Sequence, residues 1–185
     1  MDKHSKEHIK DILLDYQVRF SNKIYSQDNN DYDLLMDAFG ISPKLKLENM
    51  QYWGRELGAC LEKVMKTRMS KSKHYENPIK EKSGREPYDF QFRDRAIDVK
   101  YRIGSGDAGT IKKWTENAKD IIELGLQPTL LILREDSLES TVSACRRAGW
   151  DIYAGEEFYN FSKNRLDFNL KKYLKSIKAE YQIKR

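Results

Sequence analysis

Cysteine is nearly missing from this 185-residue chain: there are two, Cys60 and Cys145, each in an apolar helical context. That excludes a disulfide-stapled secreted fold, and both read as reduced core thiols in a cytosolic protein. The three histidines, His4, His8 and His74, stand in polar stretches without metal-ligand spacing, so they read as surface residues and exclude a zinc site. Long hydrophobic runs are missing too. The longest, around Leu130 to Leu133, falls far short of the ~20 residues of a membrane span and suits one buried strand. The first residues, MDKHSKEHIKD, are charged with no apolar signal core behind them. Neither secretion nor a membrane is expected, and the expected compartment is the cytoplasm. No repeat or low-complexity tract is visible.

Charge is plentiful. Lys and Arg number 34 against 29 Asp and Glu, a net +5, and 11% aromatics argue against disorder. The excess is concentrated. Residues 66–85 hold seven basic and two acidic residues, and 163–185 hold eight and two, while 1–62 and 86–162 are net acidic. Two basic segments on an acidic body look like a polyanion footprint, although solvated lysine faces give the same pattern.

The apolar spacing predicts an α/β (α+β) fold: a mixed central β-sheet flanked by helices, with added helices at both ends. Within a single domain, 1–185, residues 1–48 form an N-terminal helical region, 49–155 the core and 156–185 a basic, helical tail. Helices are expected over 5–24, over 31–39 ending at Gly40, from an Asn49 cap to Met69, and over 110–124. Another follows an Asp136–Glu139 capping box. The basic segment with Asn77-Pro78 and Ser83-Gly84 reads as a loop. Tyr88 to Phe92 and Ala96 to Ile103 alternate as strands, with Arg93-Asp94 as the two-residue turn of a hairpin. Thr129 to Arg134 and Trp150 to Tyr153 read as further strands. Trp114 and Trp150 read as core.

That turn pairs Phe90 with Ile97, Tyr88 with Val99 and Asp89 with Asp98. One face then collects Tyr88, Phe90, Phe92, Ile97, Val99 and Tyr101 as a core. The other carries Asp89, Gln91, Asp98 and Lys100. Directly opposed carboxylates, with Cβ atoms roughly 4.5–5.5 Å apart, repel unless a cation lies between them. Two carboxylates with a lysine beside them suit Mg²⁺, which polarises a phosphoryl oxygen and activates water, while the ammonium orients that water or holds developing charge. The alternative is a salt-bridged, solvent-exposed strand face.

Asp89 followed by Asp98-Val99-Lys100, the one acid-x-Lys triplet in the chain, resembles the PD-(D/E)xK nuclease superfamily, which holds most type II restriction endonucleases. The helix–hairpin–helix–strand order of the middle of the chain resembles the family core, from about Trp53 to Tyr153. The resemblance implies a Mg²⁺ site built by Asp89, Asp98 and the Val99 carbonyl, with Lys100 assisting the attacking water. Family members often place a glutamate on the helix before the hairpin, which nominates Glu56 in Gly54-Arg55-Glu56-Leu57. It also implies 5′-phosphate and 3′-hydroxyl products, and one site per chain suggests a homodimer.

Gly104-Ser105-Gly106-Asp107-Ala108-Gly109 is formally a dinucleotide fingerprint, but the preceding strand carries Asp98, Lys100 and Arg102, which a doubly buried first strand would not. No nucleotide cofactor is expected. The glycines read as a flexible turn whose N–H groups can meet a DNA phosphate. Candidate DNA contacts are Arg102, Ser105, Lys112 and Lys113. The expected function is a type II restriction endonuclease that hydrolyses double-stranded DNA sequence-specifically with Mg²⁺. The alternatives are a structure-directed nuclease of the same fold, such as a junction resolvase, or a non-catalytic DNA-binding protein.

Overall fold

A computed structural model describes residues 13–15, 17–18, 32–80, 84–104 and 106–183. Residues 13–15 and 17–18 are helical; the rest of the helix expected over 5–24, with His4 and His8, lies outside the described residues. Helix α1 (Leu34–Phe39) starts at Asp33, whose carboxylate accepts hydrogen bonds from the N–H groups of Leu35 and Met36, and ends at Gly40 with φ of 64°. Helix α2 (Pro43–Glu48) is not anticipated by the apolar spacing, yet Ser42 caps it and a proline opens it. Helix α3 (Met50–Met69) begins at Asn49 as expected and buries Trp53, Leu57, Leu61, Met65 and Met69. That four-residue spacing lays one continuous stripe against the sheet.

Five strands, β1 (Tyr75–Glu76), β2 (Phe90–Phe92), β3 (Arg95–Lys100), β4 (Gln127–Ile132) and β5 (Asp151–Ala154), lie in sequence order across one sheet. β1–β2 and β2–β3 are antiparallel, while β3–β4 and β4–β5 are parallel, so the sheet is mixed as expected. β1 falls in the basic segment read as a loop; at two residues it is too short to carry an alternation signal. Helices α4 (Ala108–Glu123) and α5 (Glu139–Arg147) provide the connections between the parallel strands, and α6 (Glu156–Arg165) and α7 (Leu170–Ser176) follow. Among the described residues, no helix is long and apolar enough to cross a membrane.

Both faces of the sheet are covered. Phe90, Phe92, Ile97, Val99 and Leu131 pack with α1, α3, α6 and α7, whereas Ala96, Leu130 and Ile132 pack with Ala118, Ile121, Val142, Cys145 and Trp150 on the other side. Helices flank the sheet as expected, but the hairpin face that carries Asp98 is covered rather than open to solvent: Asp98, on the face of Ala96, is only 7% exposed. Tyr88 also changes sides, joining the Ala96 cluster rather than that of Phe90, because strand pairing stops at Phe90 and the chain bends before it. Trp150 is buried and Trp114 half-buried, their rings 5.2 Å apart and nearly perpendicular. His74 is half-buried against Phe92 rather than on the surface.

Two turns differ from expectation for identifiable reasons. Asp136 does not cap α5, which starts after Leu138 without a side-chain cap. The Asp136 carboxylate is instead gripped by Arg134, at 2.8 Å from Nε and 3.1 Å from Nη2, a bidentate pair of opposite charges that takes both of its oxygens. In the glycine-rich turn, Asp107 caps α4, accepting from the Thr110 N–H at 2.9 Å, so a carboxylate already holds the helix end that was expected to face phosphate. Gly106 serves packing rather than flexibility: a Cβ there would stand 2.6 Å from both Leu138 Cδ2 and Thr141 Oγ1. Gly106→Ala is expected to destabilise the fold by about 1–3 kcal/mol. Thermal unfolding checks this, and an unchanged transition would mean that the turn yields freely.

Candidate active site

A cleft of about 360 Å³ opens where α3, the β2–β3 hairpin and α4 meet. Glu62 and Lys66 enter from α3, Glu86, Tyr88 and Asp89 from the segment before β2, Asp98 and Lys100 from β3, and Thr110, Lys113, Trp114 and Asn117 from α4. Each arrives by simple periodicity. Asp98 and Lys100 are two apart on one strand and share a face. Glu62 and Lys66 are four apart on one helix, each directly after a buried member of the apolar stripe, Leu61 and Met65.

The expected register holds from Phe90↔Ile97 to the Arg93-Asp94 turn, where Arg93 has φ of 57°. Asp89 is not in a regular pair with Asp98. Its N–H donates to the Ile97 carbonyl at 2.9 Å, and its Oδ2 accepts from the Val99 N–H at 2.7 Å, so a side chain replaces the next ladder bond. Anchored there, Asp89 still reaches the same cleft as Asp98. Its Oδ1 lies 3.6 Å from Lys66 Nζ, which also bonds Glu62 Oε1 at 2.8 Å. Lys100 Nζ is paired with Asp98 Oδ1, lies 3.3 Å from the Val99 carbonyl and stands 5.7 Å from the Trp114 ring centre.

Burial, and then the Asp98 carboxylate, push the Asp89 carboxyl up to about 7 from an ordinary 3.8. Burial works against the charge of Lys100, but Asp98 and Asp89 outweigh it and hold the ammonium above its usual range. The raised Asp89 has a consequence for stability. Between about pH 4 and 7 the native state keeps a proton that the unfolded chain gives up, so metal-free stability falls as pH rises through that window. Asp89→Asn, which can still accept from Val99, is therefore expected to stabilise the protein by up to a few kcal/mol above pH 7 and negligibly at pH 4. Melting both proteins in EDTA from pH 4 to 8 tests this; a gain that does not grow with pH would refute it.

The donors suit a hard cation. Asp98 and the Val99 carbonyl both hold the Lys100 ammonium, so this corner of the cleft attracts positive charge. Among the described residues, no three His, Cys, Asp or Glu side chains gather into a ready-made metal cage. Mg²⁺ commonly takes one or two carboxylates and completes its shell with water and substrate phosphate, so Asp89 and Asp98 fit that ion better than a caged one.

The other nominated residues divide. Lys113 lines the cleft, whereas Lys112 is exposed and 3.7 Å from Glu116. Arg102 is turned away: its Nε donates to the Asp136 carbonyl at 3.0 Å. Ser105 lies outside the described residues. The structure does not bring Glu56 to the cleft. Glu56 is solvent-exposed beside Arg55 at 3.1 Å, lining a groove with Ala59, Cys60 and Lys63. Six further residues turn a helix by roughly 240°, and Glu62 is the α3 glutamate that lines the cleft. The signal that could have found it is its i,i+4 partnership with Lys66 along the buried stripe.

A family model described as ApaLI-like restriction endonuclease matches residues 3–179. No curated protein and no solved structure matches the chain.

Proposed function

The chain belongs to the ApaLI-like restriction endonuclease family, and on that premise we propose that it is a type II enzyme which cuts double-stranded DNA sequence-specifically with Mg²⁺. The observation that carries the reading is the meeting of Asp89, Asp98 and Lys100 in one cleft. In it, Asp89, Asp98 and the Val99 carbonyl would hold the ion. Bound there, Mg²⁺ would supply polarisation of the scissile phosphoryl group and a more acidic water. Lys100 orients the attacking water and meets negative charge as it develops on phosphorus. Glu62, rather than Glu56, is the helix-borne acid that orients ligands from the opposite wall. Lys113 holds the backbone phosphate, and Trp114 keeps one side of Lys100 dry. Products carry 5′-phosphate and 3′-hydroxyl ends. One such site per chain makes the cutting unit a homodimer, acting in the cytoplasm where DNA is met.

The test is incubation of unmethylated plasmid and phage DNA, and of a four-way junction, with Mg²⁺ or with EDTA. Discrete, Mg²⁺-dependent fragments from duplex DNA support the reading. Preference for the junction would favour a structure-directed nuclease, and no cleavage of either substrate would leave a DNA-binding protein. In the same assay Glu62→Gln is expected to slow cleavage by about 10-fold or more, as for loss of an outer-shell partner, while Glu56→Gln stays within about twofold. Equal effects would overturn the assignment of Glu62.

A further inference from the structure

Lys66 belongs to neither strand of the hairpin and lies outside the Asp-x-Lys triplet, yet it sits on the carboxylate pair. Its ammonium bridges Glu62 Oε1 at 2.8 Å and Asp89 Oδ1 at 3.6 Å. The other oxygen of Asp89 is committed to the Val99 N–H. Oδ1 is therefore the oxygen an incoming cation meets, and Lys66 is already there. We infer that Lys66 is the resident counter-ion of the free enzyme, displaced from Asp89 by the divalent ion and then turned to a phosphate of the bound DNA. The inference rests on the metal reading of the site above.

Charge and geometry support it together. The cleft is lined by four carboxylates, Glu62, Glu86, Asp89 and Asp98, and three ammonium groups, Lys66, Lys100 and Lys113, a net charge of one negative. Without a metal, each of the two central aspartates carries its own lysine: Lys100 on Asp98, Lys66 on Asp89. A divalent ion arriving between the aspartates turns that net charge to one positive, and a polyanion is the partner that can absorb the excess. Lys66 is equipped to move. Its side chain is 28% exposed, and it stands one helical turn from Glu62, which holds it near the cleft after Asp89 lets go. Lys100 is no less exposed, at 34%, but it is tied to both Asp98 and the Val99 carbonyl and packs over Trp114 at the end of a strand. The two lysines thus divide the work: Lys100 stays beside the reacting phosphorus, and Lys66 trades a carboxylate for a phosphate.

The experiment compares wild type with Lys66→Met and Lys66→Arg, and with Asp98→Asn as the metal-site control. Mn²⁺ alone is titrated at pH 8 and read by the paramagnetic resonance of the free ion. Removing the competing charge is expected to tighten Mn²⁺ binding about 10-fold in Lys66→Met, with Lys66→Arg close to wild type. The second readout is the salt dependence of duplex DNA binding. In Ca²⁺, Lys66→Met is expected to lower the slope of log K against log salt by about one; in EDTA, where Lys66 still faces its carboxylates, the slope should not change. Unchanged or weaker Mn²⁺ binding in Lys66→Met, with Asp98→Asn still weakening it, overturns the counter-ion role and leaves the metal site standing. Tighter Mn²⁺ with an unaltered slope in Ca²⁺ overturns the transfer to phosphate. Mn²⁺ binding indifferent to Asp98→Asn overturns the metal reading itself, and this inference with it.

Discussion

Asp98→Asn and Lys100→Ala are each expected to lower duplex cleavage by roughly 10²–10³-fold or more, with duplex DNA binding in EDTA surviving both changes. Asparagine is nearly isosteric at this 7%-exposed position, so packing against Ala96 and Leu130 is kept and only the charge is lost. That charge does two things in the cleft. It pairs with Lys100, and it is the like charge that raises Asp89 most. Without it, Asp89 ionises at lower pH, and a single carboxylate is left to compete for Mg²⁺ against Lys66. Binding in EDTA should be equal or tighter in Asp98→Asn, because one negative group near the phosphates is gone. Lys100→Ala differs in sign: the cleft becomes more negative, so Mg²⁺ binding is expected to tighten while cleavage still falls. Single-turnover cleavage alongside filter binding separates the two effects. Cleavage within about 10-fold of wild type in either variant would remove that residue from the chemistry.

The hairpin is legible in the sequence because its constraints are local. Phe90-Gln91-Phe92 and Ala96-Ile97-Asp98-Val99 alternate on either side of two polar residues, and a period of two leaves one register that buries both apolar sets. That register carries Asp98 and Lys100 into place, and the structure pairs Phe90 with Ile97 accordingly. Asp89 is harder to read, since its side chain, not its backbone, closes the ladder on Val99, and nothing in the alternation announces that substitution. Tyr88 changes face for the same reason. The nominated glutamate fails to reach the cleft because helix rotation decides it: Glu56 and Glu62 share α3, and only the position of the buried stripe relative to the sheet tells which one faces the hairpin. Arg102 shares a strand face with Lys100 in an ideal strand, but β3 ends at Lys100, and Asp136 draws the arginine elsewhere.

The least legible feature joins residues 101 positions apart. Arg134, 6% exposed, donates to Asp33 at 3.1 Å and takes Asp136 in a bidentate grip. Tyr101 completes the group: its hydroxyl donates to Asp33, and its ring centre lies 5.7 Å from the guanidinium carbon. Burial and the Asp33 carboxylate hold the Tyr101 hydroxyl well above its ordinary range, so it stays protonated and donating. Asp33 also caps α1, Asp136 also holds Arg102, and Tyr101 directly follows Lys100. One guanidinium therefore ties the N-terminal helices to the strand end that presents Lys100. Arg134→Met is expected to cost about 3–5 kcal/mol, because it leaves the poorly exposed Asp33 carboxylate without a counter-charge and Asp136 with Arg102 alone. Arg134→Lys should recover only part of this, since an ammonium cannot make the forked pair with Asp136 while reaching Asp33. Tyr101→Phe, which removes one hydrogen bond but keeps the ring, should cost about 1–2 kcal/mol. Urea unfolding of the three variants gives the ordering directly. A loss below about 1 kcal/mol in Arg134→Met would mean that Asp33 and Asp136 rehydrate on its removal, and that the strand end carrying Lys100 is held by its apolar contacts alone.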